Sequence, residues 1–265
     1  LTIKVINQKN PQIYFNLGII YPAHFLMKPN LLLSVFSALF LVVACDSPAE
    51  GLFTQAKALL DQKQYARVVT LLAAKKSELD RADLWNMLGF AYLETDQANE
   101  ALASFNQAIK LDNTNYKYFY NRGNAYLQLK QPDEALKDYD QALALDQAVY
   151  DLYLNRASVL AAMHRHKEAL ADFNRAASMN QTDRNLYFNR GQTYLATQDF
   201  AKAAEDFHRV VELAPDFARA HHALGLAELQ LGEAKAQEAC AHLQRALELG
   251  FAGAQAAIDQ NCGKR

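Results

Sequence analysis

Several kinds of residue are scarce in this chain, and each scarcity removes a class of protein. Ten glycines and six prolines among 265 residues are too few for a fibrous or low-complexity protein. No glycine-rich loop has phosphate-binding spacing; the glycines recur singly within strongly periodic apolar stretches. A net charge of −2 supplies no basic face, so nucleic acid is not an expected partner. Seven histidines are present, but none has carboxylate or thiolate company at metal-ligand spacing. His164 and His166 flank Arg165, and His221 and His222 are adjacent. We therefore expect no metal, no cofactor and no enzyme. Only three cysteines occur, Cys45, Cys240 and Cys262. The longest uncharged apolar run, Leu31 to Ala44, has fourteen residues. As a helix it would reach ~21 Å, short of the ~30 Å hydrocarbon core of a bilayer. Against these shortages stands 51% apolar residues, enough for a sizeable core.

Residues 1–26 contain Pro11 and Pro22 and show no clear periodicity. They read either as a genuine N-terminal extension or as a start placed too far upstream of Met27. From Met27 the pattern is that of an export signal over 27–44: Lys28 is the positive flank and Leu31–Ala44 the apolar region. The run ends Leu41-Val42-Val43-Ala44-Cys45-Asp46. This resembles a bacterial lipobox, with Val42 where leucine is usual and Val43 where alanine or serine is usual. The resemblance implies that Cys45 is lipidated and becomes the mature N-terminus, with 45–48 as a linker. Each buried acyl CH₂ contributes ~0.8 kcal/mol, so several chains would hold a domain at a membrane. Asp46 resembles the inner-membrane retention signal of enterobacterial lipoproteins, a rule that leaves the outer membrane open.

Beyond this the chain repeats itself. Tyr118-Phe119-Tyr120-Asn121-Arg122-Gly123 returns thirty-four residues later as Leu152-Tyr153-Leu154-Asn155-Arg156-Ala157, and again as Leu186-Tyr187-Phe188-Asn189-Arg190-Gly191. A fixed period of this length means stacked copies of one helical hairpin. Copies span 82–115, 116–149, 150–183 and 184–217. A fifth, 218–251, carries two extra residues in its turn. A divergent hairpin at 49–81 precedes them, and 252–265 reads as a capping helix and tail. The first copy holds Trp85, Leu88, Gly89, Tyr92, Ala101, Phe105 and Ala108. The next holds Phe119, Arg122, Gly123, Tyr126, Ala135, Tyr139 and Ala142. These positions resemble the tetratricopeptide repeat, which implies an all-α fold: a right-handed superhelix, an α-solenoid of antiparallel helix pairs, closed by a C-terminal capping helix. Gly89, Gly123, Ala157, Gly191 and Gly225 share one helix-interior place. We expect them to face Ala101, Ala135, Ala169 and Ala203, small against small.

Cys240 and Cys262 lie eleven residues either side of Phe251, beside the turn between the last two helices. An antiparallel hairpin places them side by side, and export would put them in an oxidising compartment. A Cys240–Cys262 disulfide is expected, with two free thiols as the alternative. Arg122, Arg156 and Arg190 stand where the other copies have Leu88 and Leu224. The same copies, and no others, carry Asp138, Asp172 and Asp206 on the second helix. Their joint appearance implies salt bridges Arg122–Asp138, Arg156–Asp172 and Arg190–Asp206. Pairing between adjacent copies is the rival arrangement.

By the resemblance, first helices line a groove that binds polypeptide. Its lining comprises Asn86, Phe90, Lys117, Tyr120, Asn121 and Asn124, then Leu154, Asn155, Ser158, Phe188, Asn189 and Gln192, and finally Arg219 and His222. Asn121, Asn155 and Asn189 form a ladder, and asparagine, both donor and acceptor, suits an extended main chain. In chaperone-binding members of the family such asparagines help hold a terminal carboxylate. Here Asn185, Asn189 and Arg219 are present but Ala223 stands at the other basic place, so that clamp is incomplete. The expected function is a membrane-anchored lipoprotein scaffold of the bacterial cell envelope, periplasm-facing, gathering a protein or peptide partner. A self-associating envelope protein is the alternative, and a small-molecule carrier or enzyme ranks last.

Overall fold

The computed structural model describes residues 48–263, so Cys45, Asp46 and the apolar run before them lie outside the described part. Within it every regular element is helical, and the residues fall into two units divided near Thr114. The N-terminal unit holds α1 (Pro48–Asp61), α2 (Tyr65–Ala73), α3 (Ala82–Glu94) and α4 (Ala98–Leu111). The C-terminal unit begins with α5 (Tyr116–Gln128), α6 (Pro132–Leu145), α7 (Tyr150–Ala162) and α8 (His166–Met179). It continues through α9 (Arg184–Ala196), α10 (Phe200–Leu213), α11 (Ala218–Leu229), α12 (Ala236–Glu248) and α13 (Ala254–Asn261). Each unit is a stack of antiparallel helix pairs, an α-solenoid segment.

Starts and stops follow local chemistry. Asn115 and Asp183 accept hydrogen bonds from the Lys117 and Asn185 amides, capping α5 and α9, and Pro132 opens α6. Each first helix ends in a left-handed residue: Lys63, Asp96, Lys130, His164 and Gln198, with φ between 56° and 61°. The next amide reaches back five residues, as from Gln131 to the Tyr126 carbonyl at 2.9 Å. This is a Schellman closure, built on side chains that pay a steric cost where glycine would not. Only the fifth copy uses glycine there, Gly232.

In the four pairs from α3–α4 to α9–α10 the core is an aromatic ring flanked by alanines. Phe105, Tyr139, Phe173 and Phe207 are fully buried, as are Ala101, Ala135, Ala169 and Ala203. The recurring glycines face the rings, which corrects the expectation of small against small. A Cβ at Gly89 would come within 2.6 Å of the Phe105 ring, and at Gly123 and Gly191 within 2.8 Å of Tyr139 and Phe207. The flat ring lies directly on the first-helix backbone. At Gly225, which faces Leu243 in place of a ring, the Ala239 carbonyl takes part at 2.8 Å.

The fifth pair, α11 and α12, departs in its polar contacts. His242 takes the aspartate place and Leu224 the arginine place. His242 instead meets His221, Nδ1 to Nδ1 at 3.2 Å, while His221 Nε2 lies 3.1 Å from the Pro215 carbonyl oxygen. That oxygen only accepts, so Nε2 carries hydrogen, and of the two facing Nδ1 atoms one donates and the other accepts. Beyond them, Glu228 is 4% exposed and its Oε2 has no hydrogen-bond partner. Tyr126, Leu160 and Tyr194 occupy its place in earlier copies. At the C-terminal end α13 packs on α12, and Cys240 and Cys262 form a disulfide with Cα atoms 5.7 Å apart.

Candidate functional site

Two families of polar residues were singled out in the sequence, and they divide cleanly. The arginines and aspartates belong to the framework of the C-terminal unit. Arg122 Nε and Nη2 donate to the two oxygens of Asp138 at 2.8 and 2.7 Å. Arg156 does the same with Asp172 at 2.7 and 2.8 Å, and Arg190 with Asp206 at 2.8 and 2.6 Å. Pairing is therefore within a copy, and bidentate. The adjacent copy is not idle, because the third guanidinium nitrogen reaches back to it. Arg156 Nη1 donates to Asp140 and Arg190 Nη1 to Asn174, at 2.7 and 2.9 Å. The sequence signal for this second contact is the polar residue directly after the core ring, Asp140 after Tyr139 and Asn174 after Phe173. The carboxylates are 4–6% exposed. Burial pushes the Asp138 and Asp206 carboxyls up, and the facing guanidinium opposes that rise. A cleft of about 270 Å³ opens beside Arg156, lined by Asp140, Arg165, Glu168 and Asp172. Its charges are already matched to one another.

The first helices α5, α7, α9 and α11 carry the second family. Tyr120 and Asn155 are joined, Asn155 Nδ2 donating to the tyrosine oxygen at 2.8 Å. Asn124 is not a free groove residue; its Oδ1 accepts from the buried Tyr139 hydroxyl at 2.6 Å. Ser158 turns back onto its own helix, donating to the Leu154 carbonyl. Gln192 is exposed. The asparagine ladder is uneven: Asn121 is 4% exposed, whereas Asn155 and Asn189 are half-buried. Leu154 is equally covered, at 4%. Lys117 sits half-buried at the start of α5. Asn86 and Phe90 lie on α3 of the N-terminal unit, where Phe90 meets the Tyr65 ring edge-on at 5.9 Å.

Toward the C-terminal end the face becomes aromatic and cationic. The Phe188 and Phe217 rings are 5.2 Å apart, and the Arg219 guanidinium lies 5.5 Å from the centre of Phe188. Arg184 lies 5.7 Å from the centre of Phe217. His222 stacks on Phe251 at 4.7 Å, and burial lowers its pKa, so the ring favours the neutral form. Arg184 and Phe217 were not picked out in the sequence, because Arg184 opens α9 and Phe217 precedes α11, away from the recurring positions. No group of three or more potential metal ligands occurs among the described residues.

Comparison with known proteins agrees with this geometry. Tetratricopeptide repeat models match residues 116–148, 150–183 and 185–217, and a TPR repeat model matches 89–130. Among solved structures, YrrB, described as a TPR protein with an unusual peptide-binding site, is 22% identical. It covers 71% of this chain and 96% of its own, with a TM-score of 0.63. MamA from Desulfovibrio magneticus RS-1 is 21% identical, covering 63% and 94%, at a TM-score of 0.60. The C-terminal part of a TPR repeat-containing protein from Cytophaga hutchinsonii is 18% identical, covering 78% and 83%, at 0.65. At these identities the likeness is one of fold. No relative is found among curated proteins.

Proposed function

We propose that this chain, which carries tetratricopeptide repeats from residue 89 to residue 217, is a lipid-anchored scaffold of the bacterial cell envelope that holds an extended polypeptide on the first-helix face of its C-terminal unit. One observation carries the binding half of this reading. The framework charges of that unit are matched to one another, while the face of α5, α7, α9 and α11 keeps rings and amides half-exposed. Such a mixture suits a main chain with alternating side chains. Phe188, Tyr120 and Asn189 are the residues we assign to contact it.

The anchoring half rests on the sequence from Met27 to Asp46, with Cys45 as the lipidated residue. The Cys240–Cys262 disulfide supports an oxidising, exported location, and Asp46 favours the inner membrane. Expression of the full chain and of Cys45→Ser tests this half. The parent protein should fractionate with membranes and gain the mass of acyl chains; the variant should do neither. If both fractionate alike without added mass, the anchor is refuted. For the binding half, in-cell crosslinking should capture a protein partner that Phe188→Ala loses. Capture of a second copy of this chain would instead favour self-association.

A further inference from the structure

We infer that the Phe188–Phe217 pair and its two arginines form a subsite for an internal aspartate or glutamate of the bound polypeptide. The inference rests on the peptide-binding reading above and names the chemistry of the partner. Three contacts link the four side chains: Arg184 lies near Phe217, Phe217 against Phe188, and Arg219 near Phe188. Phe188 also leans on the buried Phe207 ring at 5.7 Å, which fixes the stack to the core.

The arginines are what point to an acid. Most others in the C-terminal unit are spent. Arg122, Arg156 and Arg190 hold buried aspartates, and Arg165, Arg209 and Arg245 hold glutamates three residues along their own helices. Arg175 lies over a single ring, Tyr153, on a second helix. Among the described residues, Arg184 and Arg219 have neither an ion pair nor a hydrogen bond, although both are exposed. Asp183, directly before Arg184, accepts from the Asn185 amide and the Tyr150 hydroxyl, and Asp216, three residues before Arg219, pairs with neither arginine.

A guanidinium drawn to a ring by cation–π attraction keeps its N–H donors free for an anion. Each guanidinium can take a carboxylate in a bidentate manner. Asn189, next to Phe188 on α9, supplies an amide for the neighbouring main chain. This is not a clamp for a chain terminus, because nothing in the stack selects a free C-terminal carboxylate over a side chain.

The test uses the full chain in detergent and three pools of short, acetylated and amidated peptides. The pools are randomised except for a central Glu-Phe, Gln-Phe or Lys-Phe pair. The Glu-Phe pool should bind about tenfold more tightly than the Gln-Phe pool, and the Lys-Phe pool most weakly. Arg184→Gln and Arg219→Gln should each erase most of that preference. Equal binding of the Glu-Phe and Gln-Phe pools overturns the inference, as does a preference that survives both substitutions. So does tight binding that appears only with a free C-terminus. If neutral pools bind and Phe188→Ala abolishes it, the scaffold reading stands while the acid subsite falls. If no pool binds at all, both fall.

Discussion

Tyr139 shows how one atom can decide a residue elsewhere on the chain. The equivalent places hold Phe105, Phe173 and Phe207, and only Tyr139 carries a hydroxyl into the fully buried core. Burial raises its pKa, keeping it protonated and obliged to donate. Asn124 is the acceptor, where the neighbouring copies have Ser158 and Gln192. Asn124→Ala should therefore cost about 1–3 kcal/mol by orphaning a buried hydroxyl. Adding Tyr139→Phe should recover most of it, a sign reversal that urea denaturation of the single and double variants would detect. The arginine–aspartate pairs obey the same logic with charges. Arg156→Leu strands Asp172, which is 6% exposed, and should cost about 3–5 kcal/mol. Arg156→Leu with Asp172→Ser reproduces Leu88 and Ser104 of an earlier copy, whose Ser104 hydroxyl satisfies itself on the Glu100 carbonyl. The double variant should be more stable than the single one; equal loss would mean that the contact of Arg156 with Asp140 matters more.

At the scale of one helix pair, α11 and α12 form the hairpin whose stability follows pH. His242 is held neutral by burial and by the charges that His221 and His208 would carry, with Glu238 opposing. Its folded pKa lies below the 6.5 of an unfolded histidine. Between these values the unfolded chain binds more protons, so stability present above about pH 6.5 is lost as pH falls toward the folded pKa. The shared hydrogen bond sharpens this, because two protonated rings have no acceptor between them. Leu224→Arg with His242→Asp would rebuild the pair of the earlier copies. It should flatten the fall in Tm between pH 7.5 and 5.5, a difference on the order of 1 kcal/mol. An unchanged slope would exonerate the histidines. Glu228 acts in the opposite direction. Burial and Glu238 raise its pKa, so the stability it contributes is present at acid pH and lost as pH rises through that raised value. Glu228→Leu, the residue of Leu160, should therefore stabilise the protein by about 1–3 kcal/mol at neutral pH and by less at pH 4.5.

Across the whole chain, what could be read in advance was what recurs. The period of thirty-four located helix pairs because every copy must bury the same face, and arginine with aspartate could be matched because they come and go together. What could not be read was contact between residues that do not recur. Tyr139 with Asn124 is one such case, and Arg184 with Phe217 is another. The ring beneath each glycine was also missed, since sequence shows that a place is small without showing what presses on it. The same nearest-neighbour logic gives the last prediction. Each pair leans on its neighbours alone, so the end of the stack depends on local devices. Here that device is the Cys240–Cys262 link, which closes a loop of sequence separation 22 and should contribute roughly 3 kcal/mol. Reduction should release α13 from α12, on which it packs. In hydrogen exchange, α13 and then α12 should lose protection while α5 to α9 keep theirs. Uniform loss across the C-terminal unit would mean that its pairs unfold as one body. Unchanged protection of α13 would mean that packing of Ala254 and Ala257, both buried, suffices without the link.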